Sequence, residues 1–333
     1  MKKNLTVLLA AALAGTCLAG ASLTTFTRFT LPAGVGATEV TMTSEYDGGK
    51  RNESGTTKMT GGVLGLVAGR AQELAEITRL DRELVWSLDH KGKTYAERGL
   101  TAPKAEAVEV KAEGSAPPPD RYRVTKAEVS VTTTGAEKTI NGYPCKEHVL
   151  VFELGIEDTV EKTTLTQVMT NNLWMTPLTD ELKAALKAQE DFQREFAKKA
   201  GFEPGAEGTD MGASALVMAY GLDPAVTAEK LAQAAEELEK LDGYPVVSDL
   251  KWQLKGDAPA VVEDEEEEEP APSGLGGLGS MLGKAVAKVA TPKTQPAADV
   301  LFSSYAELKS AMVADIPAGR FEVPEGYTRV EPK

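Results

Sequence analysis

The chain has 333 residues, with 36 basic against 50 acidic side chains and a formal charge of −14. So acidic a surface repels nucleic acid and anionic membrane surfaces, which argues against binding either through a general charge field. Only two histidines and two cysteines occur, too few for a zinc site of the His and Cys type, so no metal or cofactor is expected.

Lys2 and Lys3 open the chain, residues 5–18 are almost wholly apolar, and Ala19-Gly20-Ala21 then places small residues around a variable one. That is the layout of a secretory signal peptide, and the apolar run is short for a membrane span. The expected cut lies between Ala21 and Ser22. It gives a periplasmic or secreted protein with no integral span in the mature chain. Nucleotide-driven chemistry is then largely excluded. Losing two lysines leaves 34 basic against 50 acidic residues, or −16. Cys17 stands where a lipoprotein cysteine would stand, and lipid anchoring there is the alternative. Against it, Thr16 is bulkier than the small residue that usually precedes such a cysteine. After cleavage only Cys145 remains. No intramolecular disulfide can form, and stability must come from a buried core.

Residues 22–37, rich in Thr, Gly and Ala, read as a lead-in. From residue 38 apolar and polar positions alternate (Val40, Met42, Tyr46), and Asp47-Gly48-Gly49 marks a turn. Residues 61–72 read as a connection or a short helix. Residues 77–97 form a hairpin candidate, with Leu84, Trp86 and Leu88 on one face and Asp89-His90-Lys91-Gly92 as its turn. Residues 102–120 are a polar, Pro-rich loop. Strand patterns return at 124–134, at 148–154 (apolar on both faces, as in a central strand) and at 160–174.

The pattern then changes to helical. Thr179 can cap a helix in which Leu182, Ala185, Leu186, Gln189, Phe192 and Phe196 recur at helical spacing, and Gly201 closes it. A second helix is expected at 213–220. A third runs from Thr227 along Leu231, Ala235, Leu238 and Leu241. Residues 246–254 alternate as a half-buried strand. Asn141-Gly142-Tyr143-Pro144 and Asp242-Gly243-Tyr244-Pro245 precede two of the strands, and the shared string reads as common turn chemistry. Residues 257–298 carry seven consecutive acids, 263–269, then prolines and glycines, and read as a disordered linker. Leu301, Tyr305, Leu308 and Met312 fit a further helix, and residues 321–330 a final strand. The division is one main domain at 38–256 that 299–333 completes after the linker.

No catalytic constellation emerges. Gly274-Leu275-Gly276-Gly277-Leu278-Gly279 matches the dinucleotide fingerprint formally, but a polyacidic run precedes it where a strand is needed. Gly283-Lys284 misses a P-loop, because Leu278 replaces its first glycine and Ala285 its Ser or Thr. Residues 212–216 lack the closing glycine of a nucleophile elbow. Cys145 and His148 are three apart, an offset that puts them on opposite strand faces. The acid run lacks the spaced ligands of a calcium loop.

Three strings carry a family resemblance: residues 77–97 (ITRLDRELVWSLDHKGKTYAE), residues 139–146 (TINGYPCK) followed by LWMT at 173–176, and residues 321–330 (FEVPEGYTRV). In this order they resemble a bacterial envelope family of unassigned function. Its fold is similar to the periplasmic lipoprotein carriers of the Lol system. The resemblance implies an α+β half-barrel: a strongly curved antiparallel sheet, an incomplete barrel, with helices covering its concave face and an apolar cavity between. The chain departs from the Lol carriers in length, long insertions and the acidic linker. The expectation is a non-enzymatic binding protein for a lipid or acyl chain. Trp86, Leu88, Trp174, Trp252, Leu186 and Phe196 are the candidate groove residues. The alternative is a structural or interaction protein whose acidic linker reaches an envelope partner.

Overall fold

The computed structural model describes residues 20–31, 35–100, 121–201, 233, 236–237, 240–256 and 299–332. The predicted leader except Gly20 and Ala21, the Pro-rich loop, the second predicted helix, most of the third and the acidic segment lie outside the described residues.

Strands β1 (Gly20–Thr30), β2 (Ala37–Asp47) and β3 (Lys50–Thr60) are followed by a short helix, α1 (Gly62–Ala68). Next come β4 (Gln72–Arg79), β5 (Leu84–Asp89), β6 (Thr94–Gly99), β7 (Tyr122–Ile140), β8 (Tyr143–Asp158) and β9 (Thr163–Thr176). Helix α2 (Asp180–Ala200), β10 (Tyr244–Gly256), β11 (Asp299–Ala314) and β12 (Thr328–Val330) complete the order. All the strands join one 12-stranded sheet, β12-β6-β5-β4-β3-β2-β1-β11-β10-β9-β8-β7. The sheet is open. Only β12, which pairs with β6, is parallel to its neighbour.

This corrects the expected α+β half-barrel with helices covering a concave face. The described residues are mostly strand and hold two α-helices. One of these, the seven-residue α1, sits beside β3 and β2. Among the described residues, helix α2 crosses the sheet, over β11, β1 and β2. Two sequence readings account for much of the difference. Residues 22–30, read as a lead-in, are β1. Residues 301–312, read as a helix, are β11. Both lie in the middle of the sheet, paired on both sides. The spacing of Leu301, Tyr305, Leu308 and Met312 mimics a helix. Pairing with two neighbours overrides that local pattern.

The predicted strand at 321–330 is also corrected. Residues 318–321 form a 3-10 turn, and only Thr328–Val330 is strand. Val160 lies in the turn before β9 and is exposed. The hairpin at 77–97 is present as β4, β5 and β6, with Trp86 opposite Ile77. Both repeated turn strings lead into strands, β8 and β10, with Gly142 at φ 87° and Gly243 at φ 112°.

Helix α2 follows its sequence closely. The Thr179 Oγ1 accepts the Leu182 N–H at 3.2 Å. Asp180 and Glu181 occupy the first turn and Lys198 and Lys199 the last, complementing the helix dipole. Gly201 ends the helix in the left-handed region. Leu182, Ala185 and Phe192 are buried along one stripe. The stripe meets Ala21, Leu23, Tyr46, Leu80, Val85 and Leu100 in the main core. The Phe192 ring lies 5.6 Å from Tyr46, and the Arg51 guanidinium lies 5.1 Å from its centroid. On the opposite sheet face Phe321 closes a smaller core over Ile77, Trp86 and Ile316.

Candidate functional site

Cross-strand pairing places a third cluster on the α2 face of the sheet, at the far ends of β8, β9 and β10. Phe152 pairs with Met169 and Leu154 with Gln167. On the other side of β9, Trp252 pairs with Met169 and Leu254 with Gln167. Trp252 is also opposite Phe302 of β11. Because side chains alternate along a strand, Phe152, Leu154, Ile156, Leu165, Gln167, Met169, Trp252 and Leu254 project to one side. Phe152, Leu154, Ile156 and Trp252 are buried there, with Val129, Leu301 and Phe302 packed against them.

Two polar groups inside this apolar patch are unsatisfied. Gln167 is 1% exposed, and neither its amide oxygen nor its nitrogen has a hydrogen-bond partner among the described residues. Trp252 is 9% exposed, and its indole Nε1 is likewise unpartnered. Buried polar groups are paired in the great majority of cases, and an unpaired one costs about 1–3 kcal/mol. The two side chains together offer three N–H donors and one carbonyl acceptor. The clustered residues carry no charge. Such a patch suits a neutral polar group attached to an apolar body better than an ion, whose burial unpaired is far more costly.

Aromatic rings connect the patch to the surface. Trp252 and Phe302 lie 5.3 Å apart, and Phe302 and Phe29 5.4 Å apart. Phe29, on the α2 side of β1, is 37% exposed. The three rings therefore step from a buried indole to solvent.

No family model and no curated protein matches the chain.

The six residues picked from sequence are not brought together in one site, although Trp174 and Leu186 pack against one cluster, around Leu182, Val246 and Leu308, and Trp86 and Leu88 share another. Trp252 is in the patch. Leu186 and Phe196 belong to the helix packing around Phe192, where Phe196 stacks on Phe192 at 6.3 Å. Trp86 and Leu88 project to the opposite sheet face. There the Trp86 Nε1 donates to the Glu97 carboxylate at 2.9 Å and the Arg82 guanidinium lies over its ring at 5.6 Å. Leu88 lines an open depression of about 440 Å³ with Tyr95, Arg98 and Val330. Trp174 alternates with Leu173 and Met175 and so faces away from Trp252. The Lys138 ammonium sits 3.6 Å from its ring centroid. These partners satisfy Trp86 and Trp174 as packing residues.

Sequence reasoning passed over Gln167, Phe152, Met169, Phe302 and Phe29. Gln167 had one visible signal: an amide between Leu165 and Met169 at the same strand period. Of the other positions weighed in sequence, His148 Nδ1 lies 3.0 Å from the Thr133 hydroxyl on an exposed edge. His90 Nδ1 lies 2.5 Å from the Tyr327 hydroxyl. Cys145 is buried, and that burial pushes its thiol pKa up, the reverse of an activated nucleophile. Among the described residues no group of three or more His, Cys, Asp or Glu is placed to hold a metal ion. No described helix is long and apolar enough to cross a membrane.

Proposed function

We propose that the chain is an exported, non-enzymatic binding protein. It holds a neutral apolar ligand, an acyl ester or acyl amide, against the β8–β10 face. The carrying observation is the buried, unpartnered amide of Gln167 beside the unpartnered indole of Trp252 in an otherwise apolar patch. An ester or amide carbonyl would accept from the Gln167 amide N–H and the Trp252 N–H, while its chain lies along Phe152, Ile156, Met169 and Phe302. Binding of this kind needs only burial of apolar surface and a few placed polar groups. The Lys2-Lys3 start and apolar run support export, and an extracytoplasmic site is where a carrier of poorly soluble molecules is useful.

The test uses purified, delipidated protein and two probes, a pyrene-labelled fatty acid methyl ester and the free acid. Saturable uptake of the ester, with quenching of tryptophan fluorescence, is the expected result. Preference for the free acid would overturn the neutral-ligand assignment. Uptake of neither probe, together with no organic molecule extracted from the native protein, would overturn the binding function.

A second reading is supported by the sheet edge. The 19-residue β7 is one of the two outer strands of the sheet, and its second half is largely exposed. An open edge is a template for strand addition by another chain. Combined with the acidic run at 263–269, it suits an envelope interaction protein. Deleting 257–298 then abolishes capture of an envelope partner in a pull-down and leaves folding intact; capture unchanged by the deletion counts against a role for the linker.

A further inference from the structure

Strand β1 runs from Gly20, and its first two residues both pair in the sheet. Gly20 pairs with Ala314, and Ala21 pairs with Val313 on one side and Tyr46 on the other. Ala21 is 1% exposed and belongs to the main core with Leu23, Tyr46 and Phe192. Gly20 projects to the opposite face. A Cβ at that position would come within 2.7 Å of the Tyr46 carbonyl oxygen, 3.0 Å of Ile316 Cδ1 and 3.1 Å of the Ala314 carbonyl oxygen. Two of these three atoms are backbone and cannot swing aside. Position 20 therefore requires glycine for a tertiary reason. A residue discarded with a leader has no such requirement to meet.

We infer that the leader is cut between Ala19 and Gly20, so that Gly20 and Ala21 remain in the mature protein. The inference rests on the export reading above and adds the bond that is broken. Leader removal acts on the extended chain, so the burial of Ala21 does not itself protect the Ala21–Ser22 bond. What separates the two bonds is the fold that results. A cut after Ala21 removes three strand pairings and a buried core residue. A cut after Ala19 removes none of them. Cys17-Leu18-Ala19 supplies what the protease reads, a small side chain at the first and third positions before the bond. The reaction is hydrolysis of one peptide bond: water adds across Ala19–Gly20, leaving a carboxylate on Ala19 and an ammonium on Gly20. The apolar run 5–16 remains intact as the leader core.

The test expresses the full chain, with its own leader and a C-terminal tag, in a bacterial host. The exported product is analysed by intact mass and N-terminal sequencing. A chain beginning at Gly20 is expected. A chain beginning at Ser22, or an acylated chain beginning at Cys17, would overturn the assigned bond. An uncleaved chain retained in the cytoplasm would instead overturn the export reading. Two variants check the specificity. Ala19→Tyr should abolish the Gly20 start, whereas Ala21→Tyr should leave it in place even if the product is less stable. Loss of the Gly20 start in Ala21→Tyr, with processing intact in Ala19→Tyr, would reverse the assignment. Finally, mature forms starting at Gly20 and at Ser22 are melted side by side. The shorter form is expected to unfold about 2–5 °C lower, and identical melting would remove the packing basis of the inference.

Discussion

Burying a primary amide with both of its polar atoms unpaired works against folding, which makes Gln167 the residue with the sharpest consequence. Without ligand, Gln167→Met should stabilise the protein by about 1–2 kcal/mol, because it removes unsatisfied polar atoms at similar volume. The same substitution should weaken uptake of the acyl ester at least several-fold. Denaturant melts and ester titration of one preparation give both numbers. A variant that is less stable than the parent would show that the Gln167 amide is satisfied in solution.

Asp81 carries a pH dependence at the same scale. It accepts from buried Arg79 at 2.8 and 2.6 Å, and this pairing, opposed by partial burial, lowers its pKa to about 2. A depressed carboxylate pKa contributes stability above the unfolded value, and the contribution is lost as pH falls through the folded one. The loss should fall between about pH 4 and pH 2. Because the Asp81 side chain is 48% exposed, it amounts to well under the full linkage value. Comparing acid unfolding of the parent with Asp81→Asn measures it. The opposite sign holds for Tyr305, whose hydroxyl pKa is pushed up to about 12 by burial and by its hydrogen bond to Glu307. Its contribution is complete below about pH 10 and disappears as pH rises through 12.

Elements were legible where a local signal and the tertiary outcome agreed. Helix α2 is the clearest case: cap, apolar stripe, terminal charges and closing glycine all lie within 23 residues of sequence, 179–201. Thr179→Ala should cost about 1 kcal/mol and should chiefly raise the unfolding rate unless the cap forms early; stopped-flow unfolding checks this. The hairpin of β4, β5 and β6 was legible for the same reason, since its turn and alternation are local. Strands β1 and β11 were not. In the TTFTRFT run of β1, apolar and Thr residues alternate irregularly, because α2 covers only part of that strand. In β11 the register shifts against both neighbours, at Thr24/Thr25 and at Trp252/Gln253, so the apolar positions lose strict period two. The groove candidates failed for a related reason. Choosing tryptophans by residue type ignores which sheet face each occupies, and face follows from register.

At the scale of the molecule, the first strand and the penultimate one meet in the middle of the sheet: β11 lies between β1 and β10. Strands β10 and β11 are antiparallel neighbours, with Leu254 opposite Asp299, so the ends of segment 257–298 are already adjacent. Closing a longer or shorter loop between adjacent ends changes the entropy little, about 0.6 kcal/mol per doubling of length. Halving 257–298 should therefore shift stability by less than about 1 kcal/mol, measured by denaturant midpoint. Ending the chain at residue 298 should abolish cooperative unfolding, because β1 and β10 both lose a partner. The sequence alone determined the acidic charge, the local β4–β6 hairpin and α2, since each is written in contiguous residues. Only the tertiary structure decided that the sheet is open and 12-stranded, that α2 crosses it, that Gly20 pairs in it and Ala21 belongs to its core, and that Gln167 and Trp252 are buried near one another. Those outcomes depend on pairing between strands tens to hundreds of residues apart, and no local pattern encodes which strands will become neighbours.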